Sequence, residues 1–188
     1  ALEQSTVWTN TTTRADAIRY INGVPLKSGT LTRRVVGTIF IGSINGVDDN
    51  LVWRGLWNWD NRVTRPLYNA QTSGFTYSTT VARIWNNDSG NQTRFVCGLP
   101  GLGVMTSIFA GFSRTAGTGF PTTRISTNAG VDQLAAILTS SATTDYRPSQ
   151  TVYVSTIAGL NYMYPTTYNT ASGTGSFAEY RMSTTIEG

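Results

Sequence analysis

Thr32-Arg33-Arg34-Val35-Val36-Gly37-Thr38-Ile39 and, after a polar interval, Leu51-Val52-Trp53-Arg54-Gly55-Leu56-Trp57-Asn58-Trp59 decide how this chain is read. From Arg34 to Gly42 the chain is β-branched and aromatic, which predicts a buried strand. Leu51 to Trp59 alternates. Leu51, Trp53, Gly55, Trp57 and Trp59 share one face, and period two at this aromatic density predicts strand over helix. Pro66 ends the run. Residues 31–67 hold three of the five tryptophans and five of the thirteen arginines. No catalytic motif has this form, so the stretch reads as scaffold.

Working outward, the same signature recurs. Asn22-Gly23, between Ala17–Ile21 and Val24–Lys27, is the strongest short hairpin signal. Further strands are expected at Phe75–Thr79, Val81–Trp85, Arg94–Cys97, Val104–Phe112, Thr151–Ile157, Asn161–Tyr164 and Ser176–Met182. Asn86 to Asn91 reads as a hairpin loop, and residues 113–130 as a long Gly/Thr/Pro-rich excursion. Val131–Leu138 is the only stretch with a plausible helical spacing, although that spacing also permits a strand. Many short strands separated by turn signals predict an all-β sandwich or jelly roll.

Composition agrees. The 188 residues suit a single domain, 1–188, with 1–13 as a connector, and charged residues make up only 13%. The chain opens on Ala1, which points to a piece of a longer or processed polypeptide. Net charge is +4 and Lys27 is the single lysine. The arginines are dispersed rather than clustered, so nucleic acid is not the expected partner. No run of eighteen apolar residues occurs, so membrane insertion is not expected. The lone Cys97, set in Phe95-Val96-Cys97-Gly98-Leu99, reads as a small buried hydrophobe. Sequons at Asn10, Asn87 and Asn91 read as surface loops.

Histidine is absent. That removes histidine-based triads and histidine-ligated zinc, and no cofactor or metal is expected. Asp48 and Asp49 with Asn45 and Asn50 lack the spacing of a calcium loop. Scattered carboxylates such as Asp60, Asp88, Asp132, Asp145 and Glu179 leave glycoside cleavage as the only catalytic route, and they read more simply as solvated loop acids.

Binding is better supported. Aromatic faces cover the CH patches of sugars, while amides, carboxylates and arginine bond their hydroxyls. Trp85-Asn86-Asn87-Asp88 and the tyrosines Tyr162, Tyr164 and Tyr168 fit that description. The same aromatics serve equally to line a core or a subunit contact, which is their commoner use. Trp53, Trp57 and Trp59, with Arg33, Arg34, Asn61, Arg62 and Arg65, read as core or subunit scaffold, with Arg62 and Arg65 as buried donors. Recognition is therefore expected between residues 85 and 170.

Several segments carry a resemblance. Arg14-Ala15-Asp16-Ala17, then Asn22-Gly23-Val24-Pro25-Leu26-Lys27-Ser28-Gly29, Thr32-Arg33-Arg34-Val35-Val36-Gly37-Thr38, and Trp57-Asn58-Trp59-Asp60-Asn61-Arg62-Val63 with Arg65-Pro66-Leu67 resemble a C-terminal module of tailed-bacteriophage and prophage virion proteins. Those proteins carry an RRYxGT segment followed by WNxYNRV. Val35 stands where that pattern has Tyr, and Trp59-Asp60 replaces a Tyr-Tyr type pair. Gly159-Leu160-Asn161-Tyr162, Gly173–Phe177 and Thr185–Gly188 agree more loosely. The resemblance implies a jelly-roll head like that of tumour necrosis factor, homotrimeric, on a tail fibre, tail spike or head fibre outside the host cell. It implies a host-surface glycan or receptor and other virion proteins as partners. A purely structural head-fibre or decoration module and a polysaccharide depolymerase fragment remain the alternatives.

Overall fold

The computed structural model describes residues 4, 6–43, 46, 47, 49–127, 130–139, 143 and 147–187. The chain opens with a hairpin, β1 (Ile18–Ile21) and β2 (Val24–Lys27). Asn22 and Gly23 take φ of 51° and 78°, the double left-handed geometry of the expected type I′ turn. Short strands follow: β3 (Gly37–Ile39), β4 (Ile41–Ser43), β5 (Gly46–Val47), β6 (Trp53–Arg54) and β7 (Leu56–Asn58). The long strands then begin with β8 (Thr64–Gln71), interrupted by the short β9 (Phe75–Tyr77) and β10 (Arg83–Ile84). They continue through β11 (Thr93–Cys97), β12 (Gly103–Gly117), β13 (Pro121–Thr127), β14 (Gly130–Thr139), β15 (Ser149–Ser155), β16 (Gly159–Asn169) and β17 (Gly173–Glu187).

These strands form two facing sheets. The front sheet runs β15-β12-β17-β8 and the back sheet β14-β13-β16-β11-β6. The eight strands β8 and β11–β17 pair in nested order: β8 with β17, β11 with β16, β12 with β15, and β13 with β14. First with last, inward to the middle, is the pairing of a rolled-up hairpin, so the chain is a jelly-roll β-sandwich.

Between the sheets lies an aromatic core. Trp85, Phe95, Phe112, Phe177 and Tyr180 are essentially inaccessible to solvent. Thr93, Thr106 and Thr184 are buried among them. Thr93 and Thr184 hydroxyls meet at 2.9 Å, and Thr106 donates to Thr184 at 3.2 Å. The hydroxyls thus satisfy one another where water is absent.

Apart from β6, which joins the back sheet, the stretch that decides the fold sits outside the sandwich, as a third layer on that sheet. Trp57 packs with Val96 and Leu99, flanked by Ile18, Phe40, Trp59 and Leu102. Gly98 makes room for it: a Cβ there would stand 2.1 Å from Trp57 Cε3. Arg14 clamps the layer, donating to Thr38 Oγ1 at 3.0 Å and to the Gly98 carbonyl, with Trp8 beneath its guanidinium. Leu160 N–H donates to Thr11 O at 2.8 Å, so this part of the expected connector lies against the sandwich.

Four sequence expectations change. Arg34–Gly42 is two short strands, and Ile39 and Ile41 are 59% and 68% exposed, because they face outward from the outer layer. Leu51–Trp59 breaks at Gly55: β6 joins β11 in parallel while β7 joins β3. Of residues 113–130, 113–117, 121–127 and 130 are strand, as their Thr content allows. Val131–Leu138 lies in β14, where pairing with β13 outweighs an apolar spacing that suited either state.

Cys97 is buried and free of any disulfide, and burial pushes its thiol up to about 11. The folded protein therefore keeps a proton that the unfolded chain releases above about pH 8.5. That stabilising difference is complete below pH 8.5 and is lost as pH rises through about 11. Urea titrations at pH 8 and pH 11 are expected to show a larger alkaline loss for the wild type than for Cys97→Ala. An equal loss in the two proteins removes Cys97 as its source.

Candidate functional site

The anticipated binding residues do not form one surface. Trp85 is wholly buried, its ring edge-on to Phe75, Phe177 and Tyr180 at 5.4, 5.7 and 5.0 Å. It offers no face to a ligand. The segment after it is not a hairpin loop, because β10 and β11 both pair along β16. Residues 85–92 are looped out between them. Asn86 and Asn87 are exposed in the left-handed region, at φ 52° and 54°. Asp88 Oδ1 accepts from Gly90 N–H at 2.8 Å.

A buried network holds this loop. Tyr180 O–H is shared between Asn69 Oδ1 and Asn91 Oδ1. Asn91 donates to Trp85 O at 2.8 Å, and Asn69 donates to Gly90 O and Gln92 O at 3.1 and 3.0 Å. Burial and the nearby Asp88 carboxylate push the Tyr180 phenol well above its ordinary range. Asn91, expected in an open loop, is 4% exposed.

Tyr162, Tyr164 and Tyr168 do share the outer face of β16, as alternation requires. Tyr164 is buried and donates to Thr127 O at 2.9 Å. Tyr168 lies under the Arg124 guanidinium at 3.7 Å. Tyr162 is half-buried. The Tyr164 ring is committed to packing and Tyr168 to Arg124, while part of Tyr162 and of Tyr168 stays accessible.

Of the scaffold set, Trp53 and Trp57 are buried and Trp59 half-buried. Arg33, Arg34, Asn61, Arg62 and Arg65 are exposed in the single chain, so Arg62 and Arg65 are not buried donors. Arg34 pairs with Asp60. Asn61 N–H donates to Asn58 Oδ1 at 3.1 Å. Asp49 pairs with Arg54 at 3.0 Å, and Asn50 Oδ1 accepts from Val52 N–H. These two are therefore engaged elsewhere than in a cation site, and Asn45 and Asp48 lie outside the described residues. Glu179 pairs with Arg147 at 2.7 Å, and Asp145 is also outside the described residues.

The arrangement suited to a ligand is elsewhere, on the front sheet where it meets the outer layer. Tyr153 is 76% exposed. In the register β15-β12-β17 it stands opposite Met105, and Met105 opposite Thr185, all on the outer face. The Tyr153 ring lies across Gly103. A Cβ at Gly103 would fall 1.6 Å from the phenol oxygen and 1.7 Å from Cζ. Beside the ring opens a cleft of about 380 Å³, walled by Arg62, Thr64, Leu102, Met105, Thr185 and Glu187. It combines an exposed aromatic face with a guanidinium, a carboxylate and hydroxyls, the donor and acceptor set that sugars require.

Arg62 belongs to the deciding stretch and reaches the cleft from the outer layer. Its guanidinium stands 4.4 Å over the Trp59 ring, and Nε donates to Trp59 O at 3.4 Å. Sequence reasoning missed Tyr153, Met105 and Glu187. A signal existed for the first: in Thr151-Val152-Tyr153-Val154-Ser155, alternation turns Tyr153 away from the two valines. A second cleft, of about 520 Å³, is walled by Asn50, Leu51, Arg54, Arg65 and Pro66, with the Asp49–Arg54 pair at its side. It has no aromatic wall.

No protein-family model matches the chain, and no curated protein sequence matches it. Solved structures give fold-level likenesses. Dimeric latent PorU from Porphyromonas gingivalis is 12% identical with a TM-score of 0.40, over 68% of this chain and 13% of that one. Infectious bursal virus derived T=1 particles give 8% identity and a TM-score of 0.45, over 90% of this chain and 40% of that one. A family 35 carbohydrate binding module from Clostridium thermocellum gives 12% identity and a TM-score of 0.32, over 63% of this chain and 97% of that one. The chain thus spans well under two thirds of the first two. TM-scores below 0.5 carry no statement about function.

Proposed function

We propose that this chain is a non-catalytic glycan-binding head of a bacteriophage fibre or spike, displayed on the virion outside the host cell. The single observation that carries the binding part is the exposed Tyr153 ring laid over Gly103 beside Arg62, Thr185 and Glu187. The virion part rests on the resemblance of residues 14–67 to phage fibre modules. Glycoside hydrolysis takes two carboxylates flanking the scissile bond. Among the described residues Glu187 is the one carboxylate in the cleft's walls, which favours binding over cleavage.

Assembly as a homotrimer belongs to the same reading. Ile39 opposes Leu56 and Ile41 opposes Val47 on the outer layer, and these four are 59%, 39%, 68% and 39% exposed. An apolar cluster of this kind suits contact with another chain. It equally favours the second reading, a structural head-fibre or decoration module whose partners are virion proteins.

The test is an array of bacterial surface polysaccharides and defined oligosaccharides, probed with the purified chain. Saturable binding at micromolar concentration, without release of reducing ends, is the expected result. No binding across the array favours the structural module, and reducing-end release favours the depolymerase. Light scattering of the same sample is expected to return about three times 20.4 kDa, and a monomeric mass removes the trimer.

A further inference from the structure

We infer that the cleft takes an extended neutral glycan rather than a single sugar, with one pyranose on Tyr153 and a neighbouring unit reaching Tyr20 past the Arg62–Trp59 stack. This rests on the glycan reading above. Arg62 is the link. It walls the cleft that Tyr153 borders, and the same guanidinium lies 4.4 Å from the Trp59 ring centre. Leu102 is a second link, walling the cleft while packing in the cluster that holds Trp59. Through these two residues the front-sheet surface meets the outer layer. Beyond Trp59 it reaches Tyr20, edge-on at 6.4 Å and 51% exposed.

Two exposed rings, Tyr153 and Tyr20, thus stand on the two sides of the Arg62–Trp59 stack. A single pyranose covers one ring and leaves the other to water. A chain of units covers both, with Arg62 donating to hydroxyls between them. Among the described residues the charges in the cleft's walls are one arginine and one glutamate. That balance lacks the focused positive field that draws a polyanion. Hence the neutral chain is the ligand class the surface fits.

The test uses defined neutral and acidic glycans, each as a mono-, di- and tetrasaccharide, titrated against the whole chain. Affinity for neutral glycans is expected to rise about tenfold or more from one unit to four, the contribution of one additional aromatic anchor. Tyr20→Ala, a change at an exposed side chain, is expected to remove most of that gain and leave monosaccharide affinity unchanged. Trp59→Phe serves as the second variant, because it keeps a ring against Trp57 while shrinking the support under Arg62 and beside Tyr20. Equal affinity for one and four units overturns the extended site but leaves the glycan reading. So does a length dependence that neither variant alters, or a preference for the acidic series. Failure of the wild type to bind any glycan removes the glycan reading itself.

Discussion

Trp85→Ala is expected to lower stability by about 3–5 kcal/mol, the range for truncating a large buried aromatic. It is expected to leave the sugar affinity of the remaining folded protein intact. The side chain is wholly buried and, from the end of β10 on the back sheet, packs its ring against the front sheet. Phe75 and Phe177 come from the front sheet, with their own rings stacked at 5.2 Å. Tyr180, its other ring neighbour, hydrogen bonds to Asn91 Oδ1, and Asn91 in turn bonds the Trp85 carbonyl. Removing the indole therefore opens a cavity next to the network that holds residues 85–92. Partial collapse of that loop brings the loss toward the lower end of the range. Urea denaturation followed by tyrosine and tryptophan emission measures the change, and titration with a bound glycan below the new midpoint measures affinity. A loss under about 1 kcal/mol with abolished binding would return Trp85 to the ligand surface.

The contrast between Trp85 and Tyr153 shows what the sequence makes legible. Strands were legible because alternation and turn chemistry act locally. Asn22-Gly23 specifies its own turn, and β17 is recognisable over Ser176–Met182 from its aromatic and small residues. Nested pairing of β8 with β17, more than a hundred residues apart, has no local signal beyond the number and spacing of strands. Burial of a given aromatic is worse determined. Trp85 closes an expected strand and borders an Asn-rich segment that reads as an exposed loop, yet Asn69 and Asn91 serve as internal donors and acceptors that hold this segment with the indole in the core.

The outer layer fails in the opposite way. Residues 31–67 were read as scaffold, and Trp53 and Trp57 are buried as a scaffold requires. Arg62 from the same stretch is turned to the surface, where it joins two aromatic groups from distant parts of the chain. The cleft draws on residues near 62, 103, 153 and 187. No spacing in one dimension announces such a site. It exists because β15, β12 and β17 lie side by side and the outer layer ends against their rim.

Tyr153→Ala is expected to weaken glycan binding about tenfold to a hundredfold, roughly 1.4–2.8 kcal/mol, as for an aromatic anchor at the centre of a site. Stability should change by no more than about 0.5 kcal/mol, because a ring that is 76% exposed supports little of the core. The two readouts separate the roles cleanly, in the reverse sense to Trp85. Tyr153→Phe retains the ring and is expected to lose only the phenol's hydrogen bond, a smaller effect of about 0.5–1.5 kcal/mol. Gly103→Ala tests the geometry without touching the tyrosine. Its Cβ would fall 1.6 Å from the phenol oxygen, so the ring must swing off the sheet. Binding should then fall although every side chain of the site is present. If Gly103→Ala binds as the wild type does, the ring's resting place is irrelevant to recognition. If Tyr153→Ala also binds normally while the protein still holds glycan, the ligand lies elsewhere. The outer face of β16, with Tyr162 and Tyr168, is then the surface to mutate.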